Sequence, residues 1–166
     1  MRQINSPTGR LTIRLVDPRT GEVKLSVRAQ NLVTLGGRRL LSRLMSGVTD
    51  VRAPVPIEIV VGGTLGVDPS PTLLTTEALD TASPLVVEAD IGATEQQLVD
   101  GTTRVVTTIT ATLEANPGGD DLTLTEAGIR FSPAEEPTPV LYNRVVFGPI
   151  TKNAELQMTL SWEVIF

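Results

Sequence analysis

The chain has 166 residues, carries a net charge of −5, and contains neither cysteine nor histidine. That length suffices for one domain with a real core, since a domain near this size buries roughly 70% of the surface its unfolded chain exposes. Without cysteine there are no disulfides or thiolate metal sites, and without histidine the commonest general base, the Ser-His nucleophile pair and the usual zinc ligand are gone.

Residues 1–9, with Asn5, Ser6, Pro7 and Gly9, read as a flexible N-terminal arm, and residues 10–166 as a single β-sandwich domain. From Arg10 to Val16, Leu11, Ile13 and Leu15 alternate with Thr12 and Arg14. From Glu22 to Ala29, Val23, Leu25 and Val27 alternate with Lys24, Ser26 and Arg28. A period of two fits half-buried strands, and Asp17-Pro18-Arg19-Thr20-Gly21 between them supplies turn chemistry, so the two make a hairpin.

Residues 34–46 form the one strong helix candidate. Thr34 is its N-cap and Gly47 its left-handed stop. Leu40, Leu41, Leu44 and Met45 form the packing face, with Arg38, Arg39 and Arg43 on the flanks. Gly36 and Gly37 cost helix propensity in the first turn, which makes sense if that turn lies close against a sheet. After a loop, residues 56–62 read as a strand with Ile57, Ile59 and Val61 on one face. An irregular excursion over residues 63–84 follows, with a short helix at 73–79.

Residues 85–91 and 103–115 are expected to pair as a second hairpin, joined by a long connection from Gly92 to Gly101. Asn116 to Asp121 is a turn, and residues 122–131 a strand with a bulge at Gly128. Residues 132–139, with three prolines and two glutamates, read as an exposed loop. Residues 141–147 and 156–166 are expected to form a terminal strand pair that closes the sandwich, with Gly148-Pro149 and Thr151-Lys152-Asn153 as turn chemistry between them. In the last strand Leu156, Met158, Leu160, Trp162, Val164 and Phe166 share one face. Trp162, the only tryptophan, is expected in the core. The fold class is therefore mainly β: an antiparallel β-sandwich with one packed α-helix.

The chemistry-bearing candidates are few, and each has a plain alternative. Asp120-Asp121 behind Gly118-Gly119 offers oxygen ligands to calcium, but turns are commonly acidic and the EF-hand spacing is absent. Glu135-Glu136 are neighbours on a proline-rich loop, which does not hold an acid/base pair at a fixed separation. The glycines and arginines from Gly36 to Arg39 stand at a helix start, a recipe for anion binding, yet packing explains the glycines more economically. Tyr142 and Trp162 could stack a sugar, but Trp162 fits the core better. No catalytic residue, cofactor or metal is assigned.

No apolar run reaches the roughly 20 residues that span a bilayer, and the first residues lack a signal-peptide core, so a protein made in the cytoplasm and without a membrane partner is expected. Residues 1–52 hold ten Arg or Lys and three Asp or Glu, net +7; residues 53–166 hold four and sixteen, net −12. Such halves are either solvated or complementary between copies of one chain. Nucleic acid is not an expected partner, because no aromatic residue interleaves the basic segment.

Three stretches together carry a resemblance. Asn31-Leu32-Val33-Thr34, Gly36-Gly37 and the helix of Leu40 and Leu44 resemble the opening "N-L-V-x-x-x-G, then short leucine helix" of small structural proteins of tailed bacteriophages. Ile57 to Thr64 resembles their "I-x-x-x-x-V-G-x-G" strand, with the two glycines adjacent here. Leu124-Thr125-Glu126-Ala127-Gly128-Ile129, then 141–147, Pro149-Ile150-Thr151-Lys152 and Leu160 to Val164, resemble their "T-E-A-G-L, R-x-x-F-x-P-I-x-K, T-W-x-I" ending. The resemblance implies a non-enzymatic virion structural protein that assembles in several copies in the tail or baseplate. A head decoration or collar protein is the alternative within that class. It implies other virion structural proteins as partners and the virion as location. From other classes, a carbohydrate-binding β-sandwich module and a carboxylate-dependent hydrolase remain open. Self-association into a ring or tube is expected, with Arg38, Arg39 and Arg43 as interface candidates on the basic side.

Overall fold

The computed structural model describes residues 8–47, 57–63, 79, 84–131 and 139–166. Among these the chain forms nine strands and one helix: β1 Thr8–Val16, β2 Val23–Val33, α1 Leu35–Met45, β3 Ile57–Gly62, β4 Leu85–Glu88, β5 Asp90–Val99, β6 Thr102–Leu113, β7 Leu122–Phe131, β8 Val140–Lys152 and β9 Gln157–Ile165. All strand pairs are antiparallel. The hydrogen-bonded order is β4-β3-β7-β8-β2-β1-β9-β6-β5. It divides into two sheets, β2-β1-β9-β6-β5 and β4-β3-β7-β8, packed as a sandwich. The expected fold class is the observed one.

The chain changes sheet between β6 and β7 and between β8 and β9, and at two further places without a loop, where a strand itself turns the corner of the sandwich. The body of β2 pairs with β1 from Val23 to Asn31, and its last two residues, Leu32 and Val33, pair with Arg144 and Asn143 of β8. At Ala89 the chain leaves β3, the partner of β4, and joins β6 as β5. The single strand expected over 85–91 is therefore two strands serving different sheets.

The alternating patterns become the core. Leu11, Ile13 and Leu15 of β1, Met158, Leu160, Trp162 and Val164 of β9, and Ile109, Ala111 and Leu113 of β6 line the inner face of one sheet. Val61, Leu124, Ala127, Ile129, Val145, Phe147 and Ile150 oppose them from the other. Trp162 is fully buried, as expected of the largest apolar side chain in the chain.

The β1–β2 hairpin turns at residues 17–22. The Asp17 carbonyl accepts from Gly21 N–H at 2.8 Å, and Gly21 takes φ +73°. The β5–β6 connection departs from expectation. Residues 92–99 are strand, and the turn is only Asp100-Gly101, both at positive φ (50° and 77°), the two-residue hairpin geometry that Asp-Gly favours. The last two strands are not partners either: β8 pairs with β7 and β2, β9 with β1 and β6. They lie in opposite sheets, joined by a turn in which the Asn153 side chain accepts from Glu155 and Leu156 N–H. Gly148-Pro149 is no turn; it sits inside β8 where the pairing with β7 skips between Leu124 and Glu126. An irregularity there suits a proline that has no N–H to donate.

Nor does β7 bulge at Gly128. Its irregularities lie at Leu124/Glu126 and Ile129/Arg130. Gly128 instead permits close approach, since a Cβ there would stand 2.5 Å from the Asn143 carbonyl oxygen. At the second irregularity the Asn143 side-chain oxygen accepts from Ile129 N–H at 2.9 Å, satisfying a buried donor. The loop 132–138, the excursion 64–78 and the short helix expected within it lie outside the described residues, as do residues 1–7 of the arm. Thr8 and Gly9 belong to β1.

Candidate functional site

The helix is placed by its first turn. Thr34 caps it, accepting from Gly37 N–H at 3.0 Å. The same hydroxyl donates to the carbonyl of Leu141, and Thr34 N–H donates to the Tyr142 carbonyl at 3.0 Å. Gly37 lies so close to β8 that a Cβ would meet the Tyr142 carbonyl oxygen at 2.2 Å. The glycine pair is there because the turn is pressed against a sheet, and the capped N-terminus is occupied by the protein itself.

The helix does not bury the whole face assigned to it. Leu40 is buried and Leu41 packs half-buried against the core, but Leu44 is 39% and Met45 90% exposed. An apolar cleft of ≈190 Å³ opens beside the helix. Leu40, Leu41 and Leu44 form one wall. Thr107 and Ile109 of β6, Val164 and Phe166 form the other, Ile91 stands on β5, and Phe131 and Tyr142 close the inner end. Those two rings meet edge to face, centroids 5.4 Å apart at 83°. Burial pushes the Tyr142 phenol up to about 12, and its hydroxyl has no hydrogen-bond partner.

Beside this cleft the β5–β6 hairpin runs past the rest of its sheet. Pairing of β6 with β9 begins at Val106 opposite Ile165, beyond which Phe166 N–H donates to the Val105 carbonyl at 2.9 Å. Gln96, Gln97, Leu98 and Val99 pair only with Val105, Arg104, Thr103 and Thr102 among the described residues. One face of this arm is anchored: Val99 packs with Val106 and Ile165 in a small buried cluster. The other face is open and carries Leu98 75%, Val105 40% and Phe166 48% exposed, together with Gln96 and Thr103. Strand alternation puts Leu98 and Val105 on the face that carries Thr107 and Ile109 in the cleft. Cleft and arm thus share one track, apolar at Leu98, Val105 and Phe166 and polar at Gln96 and Thr103.

A second cavity, ≈450 Å³, opens at another part of the sandwich between β4, the end of β6 and the end of β8, lined by Leu85, Val87, Leu113, Glu114, Asn116, Asp120, Leu122 and Lys152. Lys152 is 3% exposed and continues the inward face of β8 after Ile150.

Arg38 and Arg39 are exposed on the helix and Arg43 is half-buried on its last turn, and none of the three lines the cleft. The acidic residues expected to face them, Asp68, Glu77, Asp80, Glu135 and Glu136, lie outside the described residues. Part of the basic segment is paired within the molecule: Arg10 meets Glu163 across β1 and β9 at 2.8 Å, Arg19 meets Asp17 and Lys24 meets Glu22. One ion pair, buried on both sides, was not foreseen: Glu126, fully buried, takes both Nε and a terminal nitrogen of Arg144 at 3.1 and 2.7 Å. The T-E-A-G and R-x-x-F motifs that contain these residues were the available signal.

The remaining candidates resolve into local structure. Asp121 accepts from Ala154 N–H at 3.1 Å, and no cluster of three potential metal-ligating side chains occurs among the described residues. Tyr142 and Trp162 are both buried and offer no stacking surface. Among the described residues no helix is long and apolar enough to cross a membrane. No family model, curated protein or solved structure matches the chain.

Proposed function

We propose that this chain is a non-enzymatic structural subunit of a tailed-bacteriophage virion, assembling in multiple copies in the tail or baseplate beside other virion proteins. The observation that carries the reading is where the resemblance motifs fall. Leu32 and Val33 carry β2 across to the second sheet, and Thr34 and Gly37 dock the helix on β8. Glu126 and Arg144 pair beneath the surface, Gly128 admits β8, and Trp162 fills the core. These motif residues maintain a scaffold, and among the described residues they do not converge on a reaction centre, which is what a structural subunit requires of its signature residues. The apolar cleft is the second support. Contiguous apolar surface of that kind mostly serves contact with other molecules.

The test is to purify particles from a host producing the phage that encodes this chain, and to locate the chain by mass spectrometry and electron cryomicroscopy. Density for the sandwich repeated around the tail axis is the expected result. Density at the head or collar would move the subunit, and a chain found only free of the particle would end the reading.

A further inference from the structure

We infer that the cleft beside α1 receives the tip of the β5–β6 arm from a second copy of this chain, with Leu98 as the inserted side chain. The inference rests on the structural-subunit reading above and names the contact through which copies join.

Knob and hole are both present, and among the described residues neither is filled by the other. Leu98 is 75% exposed on a two-stranded arm, a position that costs stability in isolation. The cleft is walled by carbon, and its rim residues Leu44, Ile91 and Phe166 are 39%, 53% and 48% exposed. Its ≈190 Å³ accommodates a leucine-sized group. The arm cannot fill its own cleft. Leu98 pairs with Thr103, four residues along β6 from the cleft-lining Thr107, which places them about 13 Å apart on one rigid hairpin.

Charge fits the same docking. The arm ends at exposed Asp100, two residues from Leu98, while exposed Arg38 and Arg39 lie on the helix that walls the cleft. An arm entering from a neighbour brings its acidic turn toward a basic helix, which guides encounter and register. Because the arm and the cleft are different surfaces of one chain, the contact is heterologous. It repeats from copy to copy, closing into a ring where the rotation permits and otherwise growing into a tube.

The absence of cysteine makes the test direct. Leu98→Cys and Leu44→Cys chains are prepared separately, mixed and oxidised gently, and the full-length wild type, Leu98→Asp and Leu44→Asp are compared by sedimentation over a range of concentrations. The expected result is a 98–44 cross-linked heterodimer in preference to either homodimer. Leu98→Asp should weaken self-association by roughly tenfold or more with the circular dichroism of the monomer unchanged, because the residue is exposed. If wild type assembles and Leu98→Asp assembles equally well, the arm-in-cleft contact is wrong while the structural-subunit reading stands. If Leu44→Asp prevents assembly and Leu98→Asp does not, another group occupies the cleft and the inference is overturned. If wild type stays monomeric at every concentration, self-assembly of the chain fails together with this contact.

Discussion

Tyr142 and Trp162 carry the clearest residue-scale consequences, because each is the only one of its kind. Trp162 is fully buried among β-strand neighbours, so Trp162→Ala should cost about 3–5 kcal/mol in denaturant unfolding. Its fluorescence in the folded protein should lie well to the blue of a hydrated indole. Tyr142 is held neutral by burial, with its pKa raised to about 12 from a usual 10.0. The unfolded chain therefore loses that proton first as pH rises, and the folded state is penalised: stability should fall by roughly 2–3 kcal/mol between pH 10 and pH 12. Phenolate absorbance followed by pH titration checks it, and a transition near pH 10 in folded protein would contradict the burial. Glu126 and Arg144 give a third residue-scale expectation. Glu126→Gln leaves the buried Arg144 charge without its carboxylate, at a cost of about 3–5 kcal/mol, whereas replacing both by apolar residues of similar volume should recover most of it. Thermal melts of the two variants separate these outcomes.

At the scale of the element, the helix shows how a local sequence rule gives way to packing. Alanine is worth roughly 1 kcal/mol over glycine inside a helix. At Gly36 the nearest atoms to an added Cβ are Val140 Cγ1 at 3.2 Å and the Leu141 carbonyl oxygen at 3.6 Å, so Gly36→Ala should be near neutral. At Gly37 the Cβ would meet backbone at 2.2 Å, and Gly37→Ala should destabilise by more than the propensity gain. Equal melting temperatures for the two variants would refute the docking geometry. The hairpins follow the same logic in reverse. Asp100-Gly101 is a strong turn signal, yet the alternation in residues 92–99 is weak because the edge strand β5 is exposed on both faces for most of its length. A strand with no buried face leaves no periodic trace.

For the whole molecule, the consequence is in assembly. The arginines Arg38, Arg39 and Arg43 lie on the helix that walls the cleft, and the arm tip carries Asp100. Charges at the surface are screened over about 8 Å at physiological salt, so they should set the rate and register of association and leave its strength to the apolar contact. Reversing all three arginines to Glu should slow assembly and lower its salt dependence without unfolding the monomer. Light scattering at two ionic strengths measures this, and kinetics identical to wild type at both would dismiss the steering role.

Much was determined by the sequence alone. The period-two runs in β1, β2, β6 and β9, the Thr34 cap and left-handed Gly47, the buried Trp162 and the mainly β architecture all follow from local pattern, because strand alternation and helix capping are properties of neighbouring residues. The tertiary structure alone decided which strands pair. It put β8 and β9 in opposite sheets, carried β2 and the chain at Ala89 across the corners, and joined Glu126 to Arg144. It also exposed Met45 and Leu44, which the helical pattern had assigned to the core. Pairing between strands far apart in the chain depends on how two sheets share one interior. An apolar helical face records what can be buried, while the extent of the sheet beneath it determines what is.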